Sequence, residues 1–169
     1  MTKSNRSVAR LAFGGMLAAL VFVATCFFKV PVSVTQGYIH LGDGFILLGA
    51  ALLGWTAVPA AAIGSMLADL LAGYTLYCLP TFLIKGLVAV VAVLATGRHK
   101  PYWLTVLLLI AAEGVMVGGY FIAEWLFLGY GLAAATGAIA PNLVQGLSGV
   151  VIGAALIPVM RRAKLPGIR

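Results

Sequence analysis

From Ser7 to Met160 the chain is a succession of long apolar runs, broken only by short clusters of glycine, proline, tyrosine and basic residues. A helix needs about 20 mostly apolar residues to cross a bilayer, and by that measure the pattern holds about six spans. They lie near 7–29, 42–54, 56–74, 81–96, 102–130 and 141–160. The second is short enough that it must tilt or stop before the far interface. Loops are expected at 30–41 and 75–80, a tight junction at Trp55 and Thr56, and a Gly/Ala-rich connection at 131–140. Pro141 then suits the first turn of the last helix. Only 9% of residues are charged, against about 25% in soluble domains, which excludes a soluble fold. The expectation is an all-α, single-domain integral membrane bundle of six transmembrane helices over residues 1–169, with no internal repeat.

The basic residues orient that bundle. Lys3, Arg6, Arg10, Arg98, Lys100, Arg161, Arg162, Lys164 and Arg169 fall on one side of a six-span topology, with at most Lys29 and Lys85 toward the other. The positive-inside rule then puts both termini in the cytoplasm. It also accounts for the net charge of +7 without a nucleic acid, for which there is no basic stripe interleaved with aromatics. Val23-Ala24-Thr25-Cys26 comes close to a lipoprotein cleavage box. Thr25 stands where a smaller residue is expected and further spans follow, so the first span is expected to be retained.

Against this background the chain has only four acidic residues, Asp43, Asp69, Glu113 and Glu124, all in or beside apolar runs. An ionised side chain at mid-bilayer costs about 3 kcal/mol or more, so such residues usually face a cavity, a partner charge or a pathway. Glu113, Tyr120 and Glu124, spaced i, i+7 and i+11, share one face of span five. Asn142 and Gln145 are neighbours on the outer turn of span six. Lys85 lies about one turn into span four; the first outer loop adds Tyr38, His40 and Asp43, and the next adds Tyr74 and Tyr77. Such a set suits a small, polar, aromatic solute, with rings stacking on tyrosine and amides and charges reading its edge. Plainer roles compete. Lys85 pairs with Asp69 or Asp43, Glu124 is solvated at the interface, Asn142 caps span six, and His40 is a surface residue. Tyr74, Tyr77, Tyr102, Trp103 and Tyr130 then form an interfacial belt. Glu113 lies deepest and has no evident partner nearby in sequence.

Cys26 and Cys78 lack metal or CxxC spacing. There is no Walker A, HExxH or GxSxG motif and no His/Asp cluster with metal spacing. Neither an enzyme, a cofactor nor a metal is therefore expected, and uphill transport must draw its energy from elsewhere. Gly14-xxx-Ala18 and Gly15-xxx-Ala19 put two small-residue stripes on span one, and Ala60, Ala61, Ala62, Gly64 and Ala68 do the same for span three. Such stripes let helices approach closely, within the chain or against another subunit.

Three segments in order, Gly37-Tyr38-Ile39-His40-Leu41-Gly42-Asp43-Gly44-Phe45, Gly64-Ser65-Met66-Leu67-Ala68-Asp69-Leu70-Leu71-Ala72-Gly73-Tyr74 and Pro80-Thr81-Phe82-Leu83-Ile84-Lys85-Gly86-Leu87, carry a family pattern. They resemble the substrate-binding S components of energy-coupling factor (ECF) vitamin transporters, over about residues 8–160. The nearest branch is the riboflavin-type one, which includes proposed hydroxymethylpyrimidine and vitamin B6 carriers. The resemblance implies capture of a vitamin from outside a prokaryotic cell by a protein of the plasma membrane. It further implies a T-type transmembrane subunit and two ABC-type ATPases as partners, and ATP-driven toppling that turns the site to the cytoplasm. Carried onto this chain, it makes Tyr38, His40, Asp43, Lys85, Glu124, Asn142 and Gln145 candidate binding groups, beside Glu113 and Tyr120 from the helix-face pattern. Docking in that family uses an A-x-x-x-A stripe on the first helix, where this chain has Gly14, Gly15, Ala18 and Ala19.

Hydroxymethylpyrimidine or a B6 vitamer is the favoured solute, with queuosine-type bases a further option. The alternative is a self-sufficient proton-coupled carrier with Glu113 and Lys85 as relay; the missing repeat, common in such carriers, counts against it.

Overall fold

The computed structural model describes residues 3–32, 37–97 and 100–162. Arg98, Lys164 and Arg169 of the orienting set lie outside the described residues, as do the side chains of Lys3 and Arg6.

Helix α1 (Lys3–Phe27) leads into an antiparallel hairpin of β1 (Lys29–Val32) and β2 (Gly37–His40), with Lys29 opposite His40 and Pro31 opposite Tyr38. The loop expected at 30–41 is thus largely a two-stranded hairpin. Period-two alternation sends Tyr38 and His40 to one face and Ile39 to the other. Helix α2 (Gly42–Leu53) follows at once. His40 caps it: Nδ1 accepts the Gly42 N–H at 3.0 Å, satisfying one of the donors a helix start leaves open. A 3-10 turn, Gly54–Thr56, leads to α3 (Ala57–Leu71). Gly73, at φ 83°, ends that helix and lets the Tyr74 N–H reach back to the Asp69 carbonyl at 2.9 Å. A second 3-10 turn (Thr75–Tyr77), α4 (Cys78–Ala95), α5 (Tyr102–Ile122), a π turn (Ala123–Phe127) and α6 (Gly131–Arg162) complete the order.

The last helix departs from expectation. The 131–140 stretch is not a connection, because α6 begins at Gly131 and runs 32 residues straight through Pro141. Alanine-rich sequence is the best helix former, and an internal proline is tolerated in membrane helices, where neighbouring groups satisfy the freed carbonyl.

Among the described residues, five helical segments are long and apolar enough to cross a membrane: Ser7–Phe27, Gly42–Leu71, Thr75–Ala95, Tyr102–Phe127 and Gly131–Arg162. The second contains both α2 and α3. Helix α2 has 12 residues, about 18 Å, short of a hydrocarbon core of about 30 Å. Contacts nevertheless reveal two opposed directions. A Cβ on Gly42 would meet Thr25, one on Gly49 would meet Leu17, and one on Gly14 would meet Thr56, so α2 runs back along α1. Helix α3 then returns, with Gly64 against the Ala18 backbone and Asp69 bonded to Tyr38 of the hairpin. The reversal falls at Gly54, whose φ of 57° suits glycine alone. Helix α6 runs beside α2, Gly149 against Asp43 and Gly153 against Leu47. The start of α1 and the end of α6 therefore share the end of the bundle away from the hairpin.

Every α-helix contributes to the core, through Val21, Ile46, Leu47, Ala61, Val88, Leu109, Met116 and Ile157, all fully buried. In lipid, close packing rather than the hydrophobic effect holds such helices together. The perimeter stays apolar, with Leu11, Phe27, Trp103, Leu147 and Val151 exposed. The two stripes on α1 part company here. Gly14 is buried against Thr56 and Ala18 is half-buried against α3, whereas Gly15 and Ala19 face outward.

Candidate functional site

A pocket lies under the hairpin, at the end of the bundle opposite the termini. Tyr38 and His40 reach it from β2, and Asp69 from the last turn of α3. Tyr74, Tyr77 and Thr81 come from the turn before α4 and its first turn, Tyr120 and Glu124 from the end of α5. Helix α6 presents Ala138, Pro141, Asn142 and Gln145, a spacing that keeps them on one face. The pocket is partly open and its volume is about 30 Å³, room for about one or two waters.

Two carboxylates border this space. Asp69 Oδ1 accepts the Tyr38 hydroxyl at 2.7 Å, while Oδ2 is buried and has no hydrogen-bond partner among the described residues. Glu124 Oε1 accepts the Tyr77 hydroxyl at 3.0 Å. Glu124 follows the buried Tyr120 by four residues and so keeps to the same face, at the start of the π turn that the Leu128 N–H closes on the Ala123 carbonyl at 2.9 Å. Glu124 is 3% exposed, so it is not the solvated interfacial group that its sequence position also permitted.

Asp43, Lys85 and Glu113 do not line the pocket but form a layer of ionisable side chains beneath it. Lys85 Nζ donates to Asp43 Oδ1 at 2.6 Å, with neither side chain more than 1% exposed. Its ammonium also stands 5.5 Å from the Tyr120 ring centre. Of the two partners open to Lys85 from sequence, Asp43 is the one it meets. Gln145 joins the layers: Nε2 donates to Asp43 Oδ2 at 2.6 Å, and Oε1 accepts the His40 N–H at 2.9 Å. Gln145 therefore borders the pocket while its amide holds the hairpin to α2. Glu113 fits against Gly146 and Gly149, whose missing side chains leave it room. Both its oxygens are buried without a partner among the described residues.

Burial, with the Asp69 carboxylate beside it, pushes the Tyr38 hydroxyl above its ordinary range, so it stays a donor. Burial first, and then the Lys85 ammonium, lowers His40 to about 3. The ring is neutral at physiological pH. Because Nδ1 accepts from Gly42, the proton sits on Nε2, which makes His40 a donor at its other edge. A histidine lowered in the folded state takes up its proton mainly on unfolding. Its contribution is complete above the ordinary value of 6.5 and is lost as pH falls toward 3. Melts in detergent are expected to lose up to about 1.4 kcal/mol per pH unit in that window from this group. His40→Asn, whose amide oxygen can still accept from Gly42, is expected to flatten the slope by one proton. An unchanged slope would refute the neutral assignment.

Sequence pattern left open whether Asp69 binds a solute or only pairs with Lys85, and gave no role to Thr81 or Ala138. The scarcity of acids was the signal available for Asp69; a threonine or alanine in an apolar helix carries none.

The model of the ECF-type riboflavin transporter S component family matches residues 5–162. An uncharacterised protein of Pyrococcus woesei is 32% identical over 143 residues, covering 84% of this chain and 95% of that protein. The thiamine precursor transporter HmpT of Lactococcus lactis subsp. cremoris is 35% identical over 162 residues, 94% of this chain and 91% of the relative. Among solved structures, the S component of a bacterial ECF transporter matches with a TM-score of 0.71 at 23% identity, covering 93% of this chain and 96% of that one. That likeness is one of fold.

Proposed function

The chain belongs to the S-component family of ECF-type transporters, and from that premise we propose that it captures a small vitamin precursor outside a prokaryotic cell, with hydroxymethylpyrimidine the favoured solute. Members of this family are membrane transport components rather than enzymes. The observation that carries the reading is the pocket under the hairpin. Tyr38, Tyr74, Tyr77 and Tyr120 surround a neutral histidine, two carboxylates and Asn142. Tyrosine faces take a flat heteroaromatic ring, and the polar groups read its substituents. The likeness to a thiamine precursor transporter supports a pyrimidine over a B6 vitamer.

A pyrimidine is larger than this space, so the lining must widen to admit it. We read six crossings, α2 and α3 each making one either side of Gly54. The hairpin then lies outside, and Arg10, Lys100, Arg161 and Arg162 lie at the cytoplasmic end, in accord with the positive-inside rule. A T-type subunit and two ABC-type ATPases drive import, with the outward-facing Gly15 and Ala19 as the part of α1 open to docking.

Calorimetric titration of the purified chain tests this. Hydroxymethylpyrimidine is expected to bind one-to-one with sub-micromolar Kd, and Asn142→Ala or Glu124→Ala to weaken it about tenfold or more, equivalent to about 1.4 kcal/mol. Vesicles should accumulate the solute only with the partner subunits and ATP. Folded protein that binds neither this compound nor pyridoxine or pyridoxamine would overturn the solute assignment. Accumulation driven by a proton gradient without ATPases would favour the proton-coupled reading, for which Glu113, without a hydrogen-bond partner among the described residues, is the residue to test.

A further inference from the structure

On the premise of solute capture, we propose that Asp69 is the group that selects an amine on the bound ring, its Oδ2 accepting an N–H from an exocyclic amine or ammonium of the solute. Asp69 is 6% exposed and borders the pocket. Its Oδ2 is buried with no hydrogen-bond partner among the described residues. Buried polar atoms are nearly always paired, and one left open bears the full cost of its lost hydration. Because Asp69 lines the pocket, a donor on a solute that enters there can complete this oxygen.

The neighbours make the choice specific. Tyr38 holds Oδ1 at 2.7 Å and so fixes which oxygen stays open. Thr81 is committed elsewhere: its hydroxyl bonds the Tyr120 hydroxyl at 2.9 Å and makes no hydrogen bond of standard geometry to Oδ2. Among the described residues, no lysine is hydrogen-bonded to Asp69. Lys85 is bonded to Asp43, and Lys29 lies 5.6 Å over the outer ring of Tyr38. Across the pocket, Tyr77 likewise holds Oε1 of Glu124. A ring bearing an amine therefore meets a fixed acceptor. The same ring with an oxo group there sets lone pair against lone pair, a repulsive element that gives discrimination.

The test compares hydroxymethylpyrimidine, which carries such an amine, with its oxo counterpart, by calorimetric titration of the full chain in lipid nanodiscs. Wild-type protein is expected to prefer the amine by about 30-fold or more. Asp69→Asn, which can offer an N–H to the oxo group, should bring the ratio within a few-fold of one or invert it. Glu124→Gln should weaken both compounds and leave the ratio in place. Equal binding of both compounds to wild type, a ratio preserved in folded Asp69→Asn, or a ratio lost in Glu124→Gln instead would each overturn the inference while solute capture stands. Binding of neither compound to folded wild type would overturn capture and inference together. Should Asp69→Asn fail to fold, the wild-type preference and its survival in Glu124→Gln still decide the matter.

Discussion

Lys85→Met is expected to destabilise the protein by about 3–5 kcal/mol and to abolish solute binding. Lys85 and Asp43 lie at 2.6 Å with at most 1% of either side chain exposed, so removing the ammonium strands a carboxylate away from water. Breaking a buried pair from one side costs far more than the pair itself contributes. The damage reaches the pocket because Asp43 also receives the Gln145 amide, and Gln145 in turn receives the His40 N–H that seats the hairpin. The double change Lys85→Met with Asp43→Asn leaves no stranded charge, and most of the stability should return. Thermal melts of the three proteins in one detergent check this. A single-variant loss below about 1 kcal/mol, the scale of an exposed pair, would mean that the pair is not sealed as described.

Gly64→Ala is the second large effect, with an expected loss of about 1–3 kcal/mol. The added Cβ falls on the carbonyl oxygen of Ala18, a backbone atom that no rotamer change can move aside. Helices α1 and α3 must separate, and with α3 goes Asp69 at the pocket. Gly15→Ala is the control. A Cβ there meets nothing within 4 Å, and a change away from any contact usually stays within about 0.5 kcal/mol. Equal melting of the two variants would show that the α1–α3 seam is looser than its packing implies. A Gly15→Ala protein of normal stability that no longer assembles with a T subunit would mark the outward stripe as the docking face.

Hydropathy alone was enough to identify a helical membrane protein, because the bilayer imposes length and apolarity on each segment separately. It was less able to count crossings, since the 12 residues of α2 merge with α3 in any average over a window. The hairpin at 30–41 and the helical 131–140 were legible only in hindsight: each is short or glycine-rich, and neighbouring structure decided its form.

The candidate site divides the same way. Tyr38, His40, Tyr120, Glu124, Asn142 and Gln145 could be picked out because polar side chains are rare in this chain, and they do meet at one pocket. What they do there is set by contacts between residues far apart in sequence. Lys85 meets an acid 42 residues away, Gln145 meets one 102 residues away, and Glu124 meets a tyrosine hydroxyl 47 residues away. Glu113 and Asp43 leave the pocket wall because glycines at 146 and 149 admit them beneath it. The sequence by itself determined the class of protein and the inventory of polar groups, since both depend on residues taken one at a time against lipid. Only the tertiary structure decided which carboxylate is neutralised by lysine, Asp43, and which lies at the pocket with an oxygen unpartnered among the described residues, Asp69. Pairing a buried charge is a matter of distances of 3 Å or so, and those are set by how the helices pack.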